Sequence, residues 1–249
     1  MKFKQSLTTL INKLEFNNEY ANEATLSRTY DSIIDGQAPD ITLVTCSDSR
    51  VLERSIDDQI GKIFTIKNIG NRVQPNMGSI QYGVAYLNTP VLLILGHTSC
   101  GAIHASMKGI SSEHQHVIES LECLKPIAAN VQKLLIKKGG INYYMNEHSF
   151  NPENKISEEM YLETLVTEAN VDRQIDIVLD DDGIRKMVYA GKLMIVGAIY
   201  DFHDIYSHKK GSIFIINVNG ETDIPGIKKI DTFASEKLVT DRMKRLLVY

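Results

Sequence analysis

The chain has 249 residues, with 27 Lys plus Arg against 31 Asp plus Glu and a formal net charge of −4. That length suffices for one large α/β domain with a sizeable core, and 43% hydrophobic with 23% charged residues is ordinary for a globular protein. The acidic balance and the lack of a basic stripe argue against a nucleic-acid partner, and no apolar run approaches the ~20 residues a membrane-spanning helix needs.

The first ten residues are basic, but Asn12, Lys13, Glu15 and Asn17 break any apolar stretch that a leader would need, so residues 1–35 read as a surface-lying helical arm and the location expected is the cytoplasm. From there the pattern alternates: strand over 41–45, helix from about 51, strand over 63–67, helix over 78–88, strand over 91–96. Such alternation implies right-handed crossovers and a parallel sheet. A mostly helical section follows over 101–182, interrupted at 139–154 by a polar stretch with Gly-Gly, several Asn and Pro152 that reads as a loop. Strands return at 193–199 and 212–218, Asn219-Gly220 offers a turn, and a helix is expected over 235–247. The fold class is α/β. One domain over 1–249 is expected, with the arm ahead of a core from residue 36, a central mostly parallel sheet flanked by helices, and a C-terminal helix.

Three residues stand where apolar runs stop. Cys46 closes Ile41-Thr42-Leu43-Val44-Thr45, and His97 and Cys100 follow Val91-Leu92-Leu93-Ile94-Leu95-Gly96. Ligands of parallel sheets gather at the carboxyl ends of the strands, so the three side chains are placed to meet. Two thiolates and an imidazole are preferred ligands of Zn²⁺, and a set of three leaves a fourth position open, which marks catalytic rather than structural zinc. The third cysteine, Cys123, reads as a small apolar residue on a helix. Asp48 and Arg50 lie two and four positions beyond Cys46, a spacing that allows a planar carboxylate–guanidinium pair beside the metal. Asp48 could then fill the fourth position in a closed state or turn to Arg50 and open it; the rival reading of Ser47-Asp48-Ser49 is a helix cap. Gly96 and Gly101 flank the second half of the motif, which fits a turn whose backbone a Cβ would resist. His104, His114 and His116 lie on a polar helical stretch and are expected to face solvent.

These residues resemble those of the β-class carbonic anhydrases, whose signature is Cys-x-Asp-x-Arg followed about fifty residues later by His-x-x-Cys-Gly. Lys67-Asn68-Ile69-Gly70-Asn71 resembles the family's Arg-Asn-Ala-Gly-Asn segment, Tyr82 in Ser79-Ile80-Gln81-Tyr82 matches a pocket position, and Gln37 and Phe64 match positions that line the CO₂ pocket across a subunit boundary. The likeness is close from Gln37 to Ile103. Beyond that it thins to Asn170-Val171-Asp172-Arg173-Gln174 and to Gly197-Ala198-Ile199-Tyr200-Asp201, where Val196 replaces a His.

The resemblance implies reversible hydration of CO₂ by a hydroxide on one Zn²⁺ per chain. Cys46, His97 and Cys100 would be the metal ligands and Asp48 and Arg50 the catalytic pair. Gln37, Phe64, Tyr82 and Gly101 would bind substrate, in a homodimer or larger homo-oligomer. Some members also bind bicarbonate at a second site of Trp, Arg and Tyr; the matching positions here are Leu43, Lys67 and Tyr200, which argues against that locked form. The alternatives are hydrolysis of carbonyl sulfide or carbon disulfide at the same zinc, and a metal-free thiol enzyme with Cys46 as nucleophile and His97 as base.

Overall fold

A computed structural model describes residues 2–109 and 114–249. Two helices, α1 (Lys2–Ala21) and α2 (Ala24–Ile33), precede the sheet. Leu7, Leu10, Ile11 and Leu14 recur at helical spacing along α1, and all four are exposed. Among the described residues no helix is long and apolar enough to cross a membrane.

Strands β1 (Ile41–Cys46), β2 (Ile63–Asn68), β3 (Val91–His97), β4 (Met194–Asp201) and β5 (Ser212–Val218) form a sheet in the order β2-β1-β3-β4-β5. The first four are mutually parallel and β5 runs antiparallel to β4. Helices α3 (Met77–Gln81), α4 (Gly101–Lys108), α5 (Gln115–Glu122), α6 (Lys125–Lys137), α7 (Ile141–His148), α8 (Glu158–Leu179) and α9 (Asp182–Tyr189) fill the connections. Three short helices, α10 (Ile224–Ile227), α11 (Asp231–Ala234) and α12 (Lys237–Arg242), follow β5.

Side chains alternate across each strand, so Val44, Leu92, Ile94 and Ile199 join the large core under α8, while Leu43, Leu93, Leu95, Val196 and Ala198 form a smaller cluster on the opposite face. Helix α8 lies so close to the sheet that a Cβ on Gly96 would sit 2.8 Å from Thr167 Cγ2, and one on Gly197 would sit 2.7 Å from both Ile175 Cδ1 and Val171 Cγ1. The glycines therefore set the distance between the long helix and strands β3 and β4, the first of which ends in His97.

Several expectations are corrected. No helix begins near residue 51, because Val51 is drawn into the smaller cluster and Lys67 Nζ ties down its carbonyl at 2.9 Å, leaving one 3₁₀ turn at Glu53–Ser55. The expected helix over 78–88 is α3 followed by a wider turn over Tyr82–Tyr86, where Gly83 passes Thr42 too closely for any side chain. The stretch 139–154 contains helix α7: Gly139 and Gly140, both at φ +94, end α6 and restart the chain, and buried Tyr144 anchors α7 by donating to the Leu246 carbonyl at 2.9 Å. The helix expected over 235–247 stops at Arg242. Beyond it, carboxylates of α8 take the groups a helix would use: Glu168 accepts from the Leu246 and Leu247 amides at 2.9 and 2.6 Å, and Asp172 pairs with Arg245. Cys123 is exposed at the end of α5 rather than packed inside. The Asn219-Gly220 turn forms with both residues at positive φ.

Candidate active site

Because β1 and β3 are parallel neighbours, with Thr45 opposite Leu95, they deliver Cys46 and His97 side by side at their carboxyl ends. Cys100 arrives three residues later, immediately ahead of α4. The turn between them is made by Ser99 at φ +54, a left-handed conformation uncommon outside glycine. Gly96 and Gly101 do not supply it. Neither has positive φ, and Gly96 serves packing while the space around Gly101 is open.

The three donor atoms lie within 4.8 Å of one another, with the sulfurs 3.9 Å apart, and all three residues are buried. A tetrahedral zinc with Zn–S bonds of ~2.3 Å places two sulfurs about 3.8 Å apart. His97 Nδ1 donates to the Thr98 carbonyl at 3.0 Å, which leaves Nε2 as the lone-pair nitrogen, buried and without a hydrogen-bond partner. A buried acceptor facing two thiols with nothing to accept from is what a metal ligand awaiting its metal looks like, so the donor set fits zinc. The sulfurs are within hydrogen-bond reach of each other. Cys46 is pulled down to about 4, chiefly because the Cys100 thiol donates to it, with the Gly70 amide adding to the effect against burial. Cys100 is pushed up by the same pairing and by burial.

Asp48 lies beside the trio and is gripped by Arg50. Arg50 Nε donates to Oδ1 at 2.9 Å and NH2 to Oδ2 at 2.7 Å, while the Arg50 amide adds a third bond at 3.0 Å. The side-chain bond from Arg50 holds the Asp48 carboxyl down to about 2. Asp48 Oδ2 stands 3.9 Å from His97 Nε2, so the carboxylate borders the site while turned to its partner.

Gln37, Phe64 and Tyr82 are elsewhere. Phe64 pairs with Thr42, four residues before Cys46, or about 13 Å along a strand at ~3.3 Å per residue. Tyr82 lies tilted against Phe64 with ring centroids 5.8 Å apart, and exposed Gln37 precedes β1. Within one protomer these three sit at the strand ends opposite to the trio. His104, His114 and His116 are exposed, as expected. His104 Nδ1 is 2.5 Å from Glu163, and Lys108 neutralises neighbouring Glu159 at 2.8 Å, giving an ion-paired surface cluster.

Sequence reasoning kept apart two segments that the fold joins. Asn170 and Gln174 of α8 hold the loop after β2, with Asn170 Nδ2 donating to the Gly70 carbonyl at 3.1 Å and Gln174 Oε1 accepting from the Val73 amide at 2.9 Å. Gly70 in turn offers its amide to Cys46. It missed Phe202 altogether. That ring lies 4.7 Å under the Arg50 guanidinium and 5.2 Å from the His97 ring, and an aromatic just past a strand reads as core by default.

Two thiols and an imidazole converging at the carboxyl ends of a parallel sheet, with a paired carboxylate at their edge, define a candidate metalloenzyme centre. The model of the carbonic anhydrase family matches residues 41–213, and the chain belongs to that family, in its β class. Carbonic anhydrase 2 of Mycobacterium tuberculosis is 40% identical over 78 residues, 30% of this chain and 38% of that protein. The carbonic anhydrase of Synechococcus elongatus is 29% identical over 180 residues, 69% of this chain and 60% of that one. The chain thus spans less than two thirds of the length of these relatives. In fold it is similar to a solved tetrameric β-carbonic anhydrase of Sordaria macrospora, at a TM-score of 0.67 and 24% identity over 84% of this chain and 98% of that one.

Proposed function

We propose that the protein catalyses the reversible hydration of CO₂ to bicarbonate and a proton, with one zinc ion per chain held by Cys46 Sγ, His97 Nε2 and Cys100 Sγ. The observation that carries this reading is the buried, unpartnered His97 Nε2 facing two thiols while Arg50 holds the nearest carboxylate aside. Bound there, zinc supplies a Lewis acid and lowers the pKa of a coordinated water to about 7. Asp48 stays ionised at neutral pH and acts as a hydrogen-bond acceptor that orients the O–H of the nucleophile. Arg50 fixes the direction in which Asp48 accepts.

Gln37, Phe64 and Tyr82 serve this site only from a second copy of the chain, since Phe64 starts its strand at the far end of the sheet, with Tyr82 beside it and Gln37 ahead of β1. A homodimer is therefore the smallest complete enzyme in our reading, and the related Sordaria protein is described as tetrameric.

The test is stopped-flow CO₂ hydration with an indicator dye, run beside a metal count and repeated for Cys46→Ala. About one zinc per chain and turnover lost in the variant are expected. Stoichiometric zinc without turnover would redirect the reading to carbonyl sulfide or carbon disulfide. Zinc-free protein that is inactivated by alkylation and indifferent to chelators would replace it with thiol catalysis.

A further inference from the structure

We infer that Phe202 is a positioning residue that holds the Arg50 guanidinium in line with Asp48 and so keeps that carboxylate turned away from the metal position. The inference rests on the zinc reading above. Arg50 is fixed within its own plane by Nε to Asp48 Oδ1 at 2.9 Å and by NH2 to Asp48 Oδ2 at 2.7 Å and to the Ser99 carbonyl at 3.0 Å. None of these bonds prevents the fork from tilting, and half of the Arg50 side chain is exposed. What faces the plane is the Phe202 ring, whose centroid lies 4.7 Å from Arg50 Cζ. A guanidinium over an aromatic face is attracted by the ring quadrupole and lies flat against it.

Phe202 is itself well fixed. Its amide donates to Thr98 Oγ1 at 2.8 Å, and its ring meets Tyr200 edge-on at 4.9 Å and His97 at 5.2 Å. The turn that carries it is closed by buried Asp201, which accepts from the His203 and Tyr206 amides at 2.9 and 3.0 Å. One side chain thus touches the imidazole of a proposed ligand and the guanidinium that restrains Asp48. The restraint matters because Asp48 Oδ2 is already 3.9 Å from His97 Nε2, within a small swing of the metal position.

The structural consequence has an unusual sign. Without the ring, Arg50 tilts, Asp48 ligates more often, and a fourth protein ligand must then leave before zinc does. Phe202→Ala is therefore expected to lower CO₂ hydration roughly two- to five-fold, the range of an exposed cation–π contact, while zinc passes to a chelator more slowly than from wild type. Phe202→Tyr should restore both quantities. In an Asp48→Asn background the Phe202→Ala substitution should no longer slow zinc release. Phe202→Leu keeps a similar apolar volume without the ring face and should behave like the alanine variant even if that one folds poorly. Zinc release that quickens as activity falls would show simple loss of packing and overturn the proposal, as would two unchanged rates. A wild type that holds no zinc or fails to hydrate CO₂ would overturn both this inference and the reading beneath it.

Discussion

Zinc binding should draw one proton from its two thiol ligands, not two. At neutral pH two ordinary thiols, each with a pKa of ~8.5, would both be protonated and both protons would leave when thiolates ligate the metal. Here Cys46 is drawn down to about 4 by the Cys100 thiol 3.9 Å away, while Cys100 is pushed up, so the metal-free pair carries a single shared proton. The amides of Ala102 and Ile103 at the start of α4 also face Cys100 and ease its loss of that proton when a cation arrives. Isothermal titration of Zn²⁺ into the stripped protein, in buffers of different ionisation enthalpy between pH 7 and 8, gives the count directly. One thiol proton per zinc plus the ionised fraction of the coordinated water is expected, about 1.5 protons at pH 7 rising toward two at pH 8. A count one proton higher across that range would mean that neither thiolate is preformed and would refute the shared-proton account.

Two further predictions concern the scaffold beneath the site. Gly96→Ala would set a Cβ 2.8 Å from Thr167 Cγ2 and 3.0 Å from Val171 Cγ2, and the resulting overpacking should cost about 1–3 kcal/mol, read as a fall in Tm of roughly 2–4 °C per kcal/mol. Thr167→Ser should recover part of that loss, and no recovery would mean the contact is not the cause. Glu168→Gln should cost about 2–3 kcal/mol in urea unfolding, because one amide oxygen cannot accept from the Leu246 and Leu247 amides and the Tyr206 hydroxyl together. An unchanged midpoint would show that the C-terminal segment is not held by this carboxylate.

What could be read from the sequence was whatever a strand end fixes locally. Cys46 and His97 terminate runs of branched apolar residues, and in a parallel sheet the ends of adjoining strands must be neighbours, so the convergence of Cys46, His97 and Cys100 and the pairing of Asp48 with Arg50 are legible in the sequence. The positions of Gln37, Phe64 and Tyr82 relative to that trio were legible only as offsets; the register Phe64 opposite Thr42 puts them at the other end of their own sheet. Contacts that link residues far apart in the chain left no local signal. Glu168 captures amides 78 and 79 residues away, which turned an expected terminal helix into an extended segment. Phe202 reaches Arg50 across 152 positions of sequence, given by 202 − 50. Ser99 in a left-handed turn defeats propensity reasoning outright, since glycine or asparagine would be expected at such a φ.

Under the proposed function, the side chains at positions 43, 67 and 200 decide how CO₂ hydration should respond to bicarbonate. A bicarbonate site there would need a free cation and a hydroxyl turned toward a shared space. Leu43 is instead buried in the smaller core cluster, apolar and without a donor. The Lys67 ammonium is already spent on the Val51 carbonyl at 2.9 Å and the Glu53 carboxylate at 3.0 Å. Tyr200 is packed edge-on against Phe202, inside the arrangement that supports Arg50. An anion entering this region would have to break the Lys67–Glu53 pair and would meet the Glu53 charge. Bicarbonate should therefore inhibit CO₂ hydration only as a product competing at the active site, with a Hill coefficient near one at neutral pH. Sigmoidal inhibition, or a lag in turnover after preincubation with bicarbonate, would refute this and require a second anion site that displaces Asp48 from Arg50.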